Sequence, residues 1–155
     1  MFDGAGVTEI VLEKGGRIPP YFCNGTSQLR RAVLSEGDDM TYLAGNAFSN
    51  CSKLVDLYIP STVTNIEQNA LNNCSNLTEL IMPPALKEIG YGAFYFCRSL
   101  RRVDFSQCTE IPIINASSVF TNTDANLQIL VPAALYDEWI AATNWATYAD
   151  KIVAV

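Results

Sequence analysis

The stretch Ala47-Phe48-Ser49-Asn50-Cys51-Ser52-Lys53-Leu54-Val55-Asp56-Leu57-Tyr58-Ile59-Pro60 recurs twice further along the chain. It returns as Ala70-Leu71, Cys74, Leu77, Leu80 and Met82-Pro83, and again as Ala93-Phe94, Cys97, Leu100, Val103 and Phe105. The three copies are spaced by 23 residues, a period at which one short supersecondary unit stacks on the next. Within each copy the apolar residues alternate after the leucine, as in a strand with one buried face.

The frame apolar-x-x-apolar-x-apolar extends both ways. It begins at Val7, Leu29, Leu54, Leu77 and Leu100, with a weaker sixth register at Asn126, Ile129 and Val131, at intervals of 22, 25, 23, 23 and 26 residues. Proline follows at Pro60, Pro83 and Pro132, where a missing N–H ends a ladder. A second apolar segment answers each strand: Val63 and Ile66 before Ala70-Leu71, Leu86 and Ile89 before Ala93-Phe94, Met40 and Leu43 before Ala47-Phe48. Ile18 with Tyr21-Phe22, and Ile111 with Val119-Phe120, form the first and last versions. The loop 35–39 and the segment Asn115-Ala116-Ser117-Ser118 are insertions in the repeat. A unit with one apolar face cannot bury it alone and must lean on its neighbours.

The period predicts a leucine-rich-repeat right-handed α/β solenoid, mostly β and irregular, of about six rungs over residues 1–131, with its strands on the concave side. Residues 132–155 close it as a helical C-terminal cap within the same structural domain. There Leu135, Trp139, Ala142 and Trp145 share one helical face, Pro132 suits the helix entry, and Asn144 suits the cap of a second short helix.

Composition bounds the rest. The 155 residues are 49% apolar and 17% charged, enough to bury a core in one domain. The net charge of −6 argues against nucleic acid or anionic membrane as a non-specific partner. No apolar run approaches the roughly 18–20 residues of a membrane span. The start Met1-Phe2-Asp3-Gly4 lacks the regions of a signal peptide, as in an internal protein or an excised piece of a longer one.

The chain offers little catalytic chemistry. The chain has no histidine, so no Ser-His-Asp or Cys-His system can form. Gly4-Ala5-Gly6 precedes a strand instead of following one and is no dinucleotide loop. The five cysteines, at 23, 51, 74, 97 and 108, contain no C-x-x-C pair, so neither zinc nor any other cofactor is expected. Cys51, Cys74 and Cys97 occupy one repeat position and should stack as buried free thiols. Their side chains point in parallel at rung spacing, about 4.8 Å, rather than at the ~3.8 Å between Cβ atoms of a bridge. Asn24, Asn50, Asn73, Asn76 and Asn115 match glycosylation sequons but read as turn residues beside the core.

Aligning the strands places Glu9, Arg31, Asp56, Glu79 and Arg102 in one outward column. Asp56 and Glu79 fall near the ~5–5.5 Å spacing of a retaining glycosidase, but the flanking Arg31 and Arg102 make an ion ladder the better reading, and no enzyme is expected. The next outward column is Val11, Val33, Tyr58, Ile81, Asp104 and Leu130, an apolar strip of the kind that marks an interface. Partner-binding residues are therefore expected at Val33, Arg31, Asp56, Tyr58, Glu79, Ile81 and Arg102.

The string Ala-Phe-x-x-Cys-x-x-Leu-x-x-Leu-x-Ile-Pro-x-x-Val-x-x-Ile, here Ala47 to Ile66, resembles the BspA-like leucine-rich repeats over about residues 7–131. Asn144-Trp145-Ala146-Thr147-Tyr148-Ala149-Asp150 also resembles a closing segment found after such repeats in host-associated anaerobic bacteria. The resemblance implies an extracellular or cell-surface adhesion-type protein, with a protein or host-surface ligand on the concave sheet, and it transfers no catalytic residue. The alternative is a structural spacer or assembly segment with no ligand of its own.

Overall fold

The computed structural model describes residues 6–13, 16–37 and 39–155; Gly4 and Ala5 lie outside them. Two sets of short strands alternate along the chain. On the front lie β1 (Glu9–Val11), β2 (Arg31–Val33), β4 (Asp56–Tyr58), β6 (Glu79–Ile81), β8 (Arg102–Asp104) and β10 (Gln128–Val131). On the return path lie β3 (Tyr42–Leu43), β5 (Asn65–Ile66), β7 (Glu88–Ile89) and β9 (Ile113–Ile114). All pairings are parallel, with Glu9 opposite Arg31, Arg31 opposite Asp56, Glu79 opposite Arg102 and Arg102 opposite Gln128. These are the registers that the repeat frame predicts.

The core lies between the two sheets. Leu54, Leu57 and Ile59 fill it from one rung, Leu77, Leu80 and Met82 from the next, and Leu100, Val103 and Phe105 from the third. Val63, Ile66, Leu71, Leu86, Ile89 and Phe94 meet them from the return side. Each buried aliphatic side chain contributes about 1.5–3 kcal/mol, and each does so only because a neighbouring rung covers it.

The corners between rungs need left-handed backbone. Asn46 and Asn50 have φ of 57° and 62°, and Asn69 and Asn73 have 54° and 58°. Asparagine tolerates this region and glycine occupies it freely. The amides so turned bond to the following rung, Asn50 N–H to Asn72 O at 2.8 Å and Asn73 N–H to Tyr95 O at 2.8 Å. Of the sequon asparagines, Asn50 and Asn73 are thus turn residues for a stated reason. Gly90 meets a different demand, since a Cβ there would sit 2.6 Å from the backbone nitrogen of Gln68.

All five cysteines are buried and free. The thiols also hydrogen-bond: Cys51 to the Cys23 carbonyl at 3.0 Å, Cys74 to Phe48 at 3.1 Å and Cys97 to Leu71 at 3.1 Å. Each Sγ reaches back one rung, which is why the ladder stacks without bridging. The Cys23 amide bonds to the Ala47 carbonyl as that of Phe48 bonds to Ala70, so Cys23 takes the aromatic position and Thr26 the thiol position of the first rung.

The chain end departs from a wholly helical cap. After Pro132 come a 3-10 turn (Ala133–Leu135), the helix α1 (Tyr136–Ala141), a second 3-10 segment (Trp145–Lys151) and then β11 (Ile152–Ala154). β11 pairs in parallel with β10, Ile129 opposite Ile152, and so adds a further strand to the front sheet. Asn144 does not cap with its side chain; its φ is 65° and its amide donates to the Ile114 carbonyl at 2.8 Å. Leu130, expected to face outward, is buried. Trp139 and Trp145 are also buried and pack on Phe105, with ring centroids 5.5 Å away in both cases. Among the described residues no helix is long and apolar enough to cross a membrane.

The front sheet is interrupted. It falls into β1-β2-β4 and β6-β8-β10-β11, and no backbone hydrogen bond joins β4 to β6 among the described residues. The return sheet runs unbroken through the same rungs, β3-β5-β7-β9, with Asn65 opposite Glu88. The two blocks are therefore joined through the return sheet and the corner bonds, such as Phe48 N–H to Ala70 O and Asn50 N–H to Asn72 O, but not through the front ladder.

Candidate functional site

Period-two alternation puts Asp56 and Tyr58 of β4, and Glu79 and Ile81 of β6, on the outer face while Leu57 and Leu80 point inward. Because the ladder is open between these strands, the outer residues border a cleft of about 730 Å³. Five of the seven expected partner-binding residues line it: Asp56, Tyr58, Glu79, Ile81 and Arg102. Arg31 and Val33, one rung away on β2, are not part of its lining.

The ion ladder is real on one side of the cleft and absent on the other. Arg31 bonds to Glu9 at 2.5 Å and to Asp56 at 2.9 Å. Both carboxylates favour the charged guanidinium and push its pKa up, Glu9 first. Across the gap the expected pairing fails. Arg102 turns along its own strand to Asp104, 2.9 Å away, and Glu79 has no ion-pair partner among the described residues. Burial pushes the Asp104 carboxyl up, but bonds from Ser106 and Arg102 outweigh it and the net shift is downward.

The apolar column is also uneven. Ile81 is 70% exposed and Tyr58 45%, whereas Val33 is half-buried. The Tyr58 hydroxyl donates to Glu36, which also accepts from Ser61 N–H at 3.1 Å and Ser61 Oγ at 3.0 Å. This contact fixes the ring and holds the Glu36 carboxyl below its usual range, chiefly through Tyr58. The same bond pushes the Tyr58 phenol up. Glu36 lies in the inserted loop 35–39, which thus serves the front face; nothing in the repeat pattern signals that role.

The cleft offers exposed apolar and charged side chains. Burial pushes the Cys23, Cys51 and Cys97 thiols up to about 12, leaving them poor nucleophiles. Among the described residues no group of acidic or cysteine side chains could hold a metal ion.

Repeats of this frame, stacked as parallel strands around one apolar core, define a leucine-rich-repeat protein. A family profile described as the BspA type leucine-rich repeat region matches residues 1–132 in six copies, and the chain belongs to that family. Among solved structures it is similar to a leucine-rich repeat protein of T. pallidum, with 22% identity and a TM-score of 0.70 over 84% of this chain and 61% of that one. It is also similar to a leucine-rich cell surface protein of Faecalibacterium prausnitzii, with 23% identity and a TM-score of 0.68 over 81% of this chain and 31% of that one. A leucine-rich repeat protein from Bacteroides ovatus gives 22% identity and a TM-score of 0.62, covering 83% and 31%. The chain thus spans less than two thirds of each of these proteins. No curated protein matches it.

Proposed function

We propose that the chain is a protein-binding module of a bacterial cell-surface or secreted adhesion-type protein. In this reading residues 1–131 form a right-handed solenoid of about six rungs, residues 132–155 cap it, and the partner sits on the concave front sheet. The observation that carries the reading is the cleft between β4 and β6, where exposed Tyr58 and Ile81 stand beside the charges of Asp56, Glu79 and Arg102. An aromatic anchor next to an aliphatic one, ringed by polar groups, is the usual make-up of a binding hot spot. Hydrogen bonds lost within the sheet are available to a ligand there.

Fluorescently labelled protein should bind intact host epithelial cells, or cells of neighbouring bacteria, in flow cytometry. Tyr58→Ala and Ile81→Asp should each weaken that binding by more than ~1 kcal/mol without unfolding the chain, while Lys87→Ala on the return path leaves it unchanged. Equal binding by Tyr58→Ala and wild type would remove the cleft from consideration.

A further inference from the structure

The return sheet carries a groove of its own, of about 640 Å³, which the repeat pattern does not announce. Its bed is the column Tyr42, Asn65 and Glu88, set in line by the register of β3, β5 and β7. Glu88 is fixed by two amide donors, Asn65 Nδ2 at 3.1 Å and Asn115 Nδ2 at 2.5 Å. Asn65 in turn accepts from Thr64 Oγ1 at 2.8 Å. Asn115 comes from the second insertion, so that insertion completes this groove as the first one supports Tyr58.

Aromatic rings stand at both ends. Tyr91 is 57% exposed and Tyr21 49%. Tyr21 holds φ at 61°, a corner conformation taken elsewhere by Asn46, Asn69 and Gly92. An aromatic residue is disfavoured there, and strain of this kind collects at functional positions. Gly45 and Gly90 leave the floor open between the rings. Tyr42 is the weaker platform, because the Arg17 guanidinium lies over its ring at 6.0 Å.

Charge restricts the ligand. The lining contains Glu67 and Glu88, with the Arg17 guanidinium over Tyr42 at one end, on a chain of net charge −6, so an anion is disfavoured on balance. Aliphatic side chains are almost missing from the lining, which disfavours an apolar peptide. What remains is a flat ring face beside planar amides and carboxylates. A pyranose matches that chemistry, with a C–H face to stack on tyrosine and a rim of hydroxyls to bond in pairs. The side chains of Thr41, Asn46 and Gln68 have no hydrogen-bond partner among the described residues and line the same space.

We propose that this groove binds a neutral oligosaccharide about two sugar rings long. One ring stacks on Tyr91 and the other reaches toward Tyr21, while Asn65, Gln68, Glu88 and Asn115 bond the hydroxyls between them. Tyr21 lies three rungs from Tyr91, roughly 14 Å at the spacing of neighbouring strands, so a disaccharide stacked on Tyr91 extends along most of that span and its far ring comes near Tyr21. This site is separate from the front cleft and stands or falls without it.

Native-gel affinity electrophoresis of the full chain tests the proposal, with laminarin, galactomannan or xyloglucan in the gel and with heparin or polygalacturonate as anionic counterparts. The expected result is retardation by at least one neutral polysaccharide and by neither anionic one. Tyr91→Ala and Gln68→Ala, both at exposed positions, should lower the apparent affinity about tenfold each, and Thr109→Ala, exposed and outside both clefts, should migrate as wild type. Absence of retardation in all three neutral gels overturns the proposal. So does retardation by the anionic polymers alone, or by the neutral ones with Tyr91→Ala unimpaired.

Discussion

The indole N–H of Trp145 donates to the carbonyl of Pro112 at 2.7 Å. Two residues along the same outer edge of β9, the Asn144 amide donates to the Ile114 carbonyl at 2.8 Å. A further rung would satisfy those carbonyls with backbone amides; the cap does so with side chains. Buried carbonyls left without a donor are costly, so these two contacts close the return sheet while β11 extends the front one.

Trp145→Phe keeps most of the aromatic packing and removes the donor. It should destabilise the protein by about 1–3 kcal/mol, read from urea denaturation. Removing residues 132–155 should expose the last rung and cause aggregation on size-exclusion chromatography. A soluble truncation that unfolds cooperatively contradicts the role assigned to the cap.

The open junction makes its own prediction for hydrogen exchange. Arg101 and Arg102 N–H both bond to the Thr78 carbonyl, and Met82 N–H bonds to that of Asp104. The corresponding amides at the junction, Thr78, Glu79 and Ile59, have no such bond to the neighbouring strand. They should exchange at least about tenfold faster than Arg101, Arg102 and Met82. Equal protection would mean that the ladder is closed in solution.

Buried thiols with raised pKa values should not react with a thiol reagent until denaturant is added, and then all five should titrate. Cys74→Ser keeps a donor for the Phe48 carbonyl, so its cost should fall near 1 kcal/mol, the low end of the range for burying a hydroxyl. A native disulfide found by mass spectrometry, or a loss well above that figure, is incompatible with the ladder as described.

Tyr58 and Glu36 give a pH signature of known sign. The Tyr58 phenol is raised above its ordinary 10.0 by Glu36, so its contribution is intact below that value and lost as pH rises through the higher folded pKa. The Glu36 carboxyl is depressed below 4.5, so its contribution is intact above that value and lost as pH falls through the lower one. NMR titration of tyrosine Cζ should show Tyr58 ionising late in wild type and earlier in Glu36→Gln. Coincident curves contradict the contact.

Phe96 holds φ at 60° where Asn50 and Asn73 hold 62° and 58°. Left-handed backbone costs a residue with Cβ roughly 1–2 kcal/mol. The contacts that Phe96 gains, an edge-on ring at Tyr95 and the Arg98 guanidinium 5.3 Å away, are at a half-buried site. Phe96→Asn should therefore raise stability by about 0.5–1 kcal/mol, and a lowered melting temperature would show that the ring contacts outweigh the strain.

The repeat frame alone sets Arg31 opposite both Glu9 and Asp56, buries the thiols of Cys51, Cys74 and Cys97, and marks Asn50 and Asn73 as turns. These depend on local pattern multiplied by stacking, which a sequence displays directly. The gap between Asp56 and Glu79 is invisible for the same reason, since both rungs carry the same motif at the same spacing. Arg102 choosing Asp104 over Glu79 is a competition between two nearby carboxylates that spacing cannot decide. Leu130 is buried because β11 comes back beside β10, a long-range event. Cys23 stands in register with Phe48 through its backbone bonds, a placement that the residue type does not reveal.

The continuous return sheet and the divided front sheet also have a mechanical meaning. Bending the coil about the β5–β7 pair widens or narrows the gap between β4 and β6 without breaking a front-sheet hydrogen bond, whereas bending at any neighbouring rung must break several. The front face thus resists bending least at this joint, and Tyr58 and Ile81 stand on its two sides.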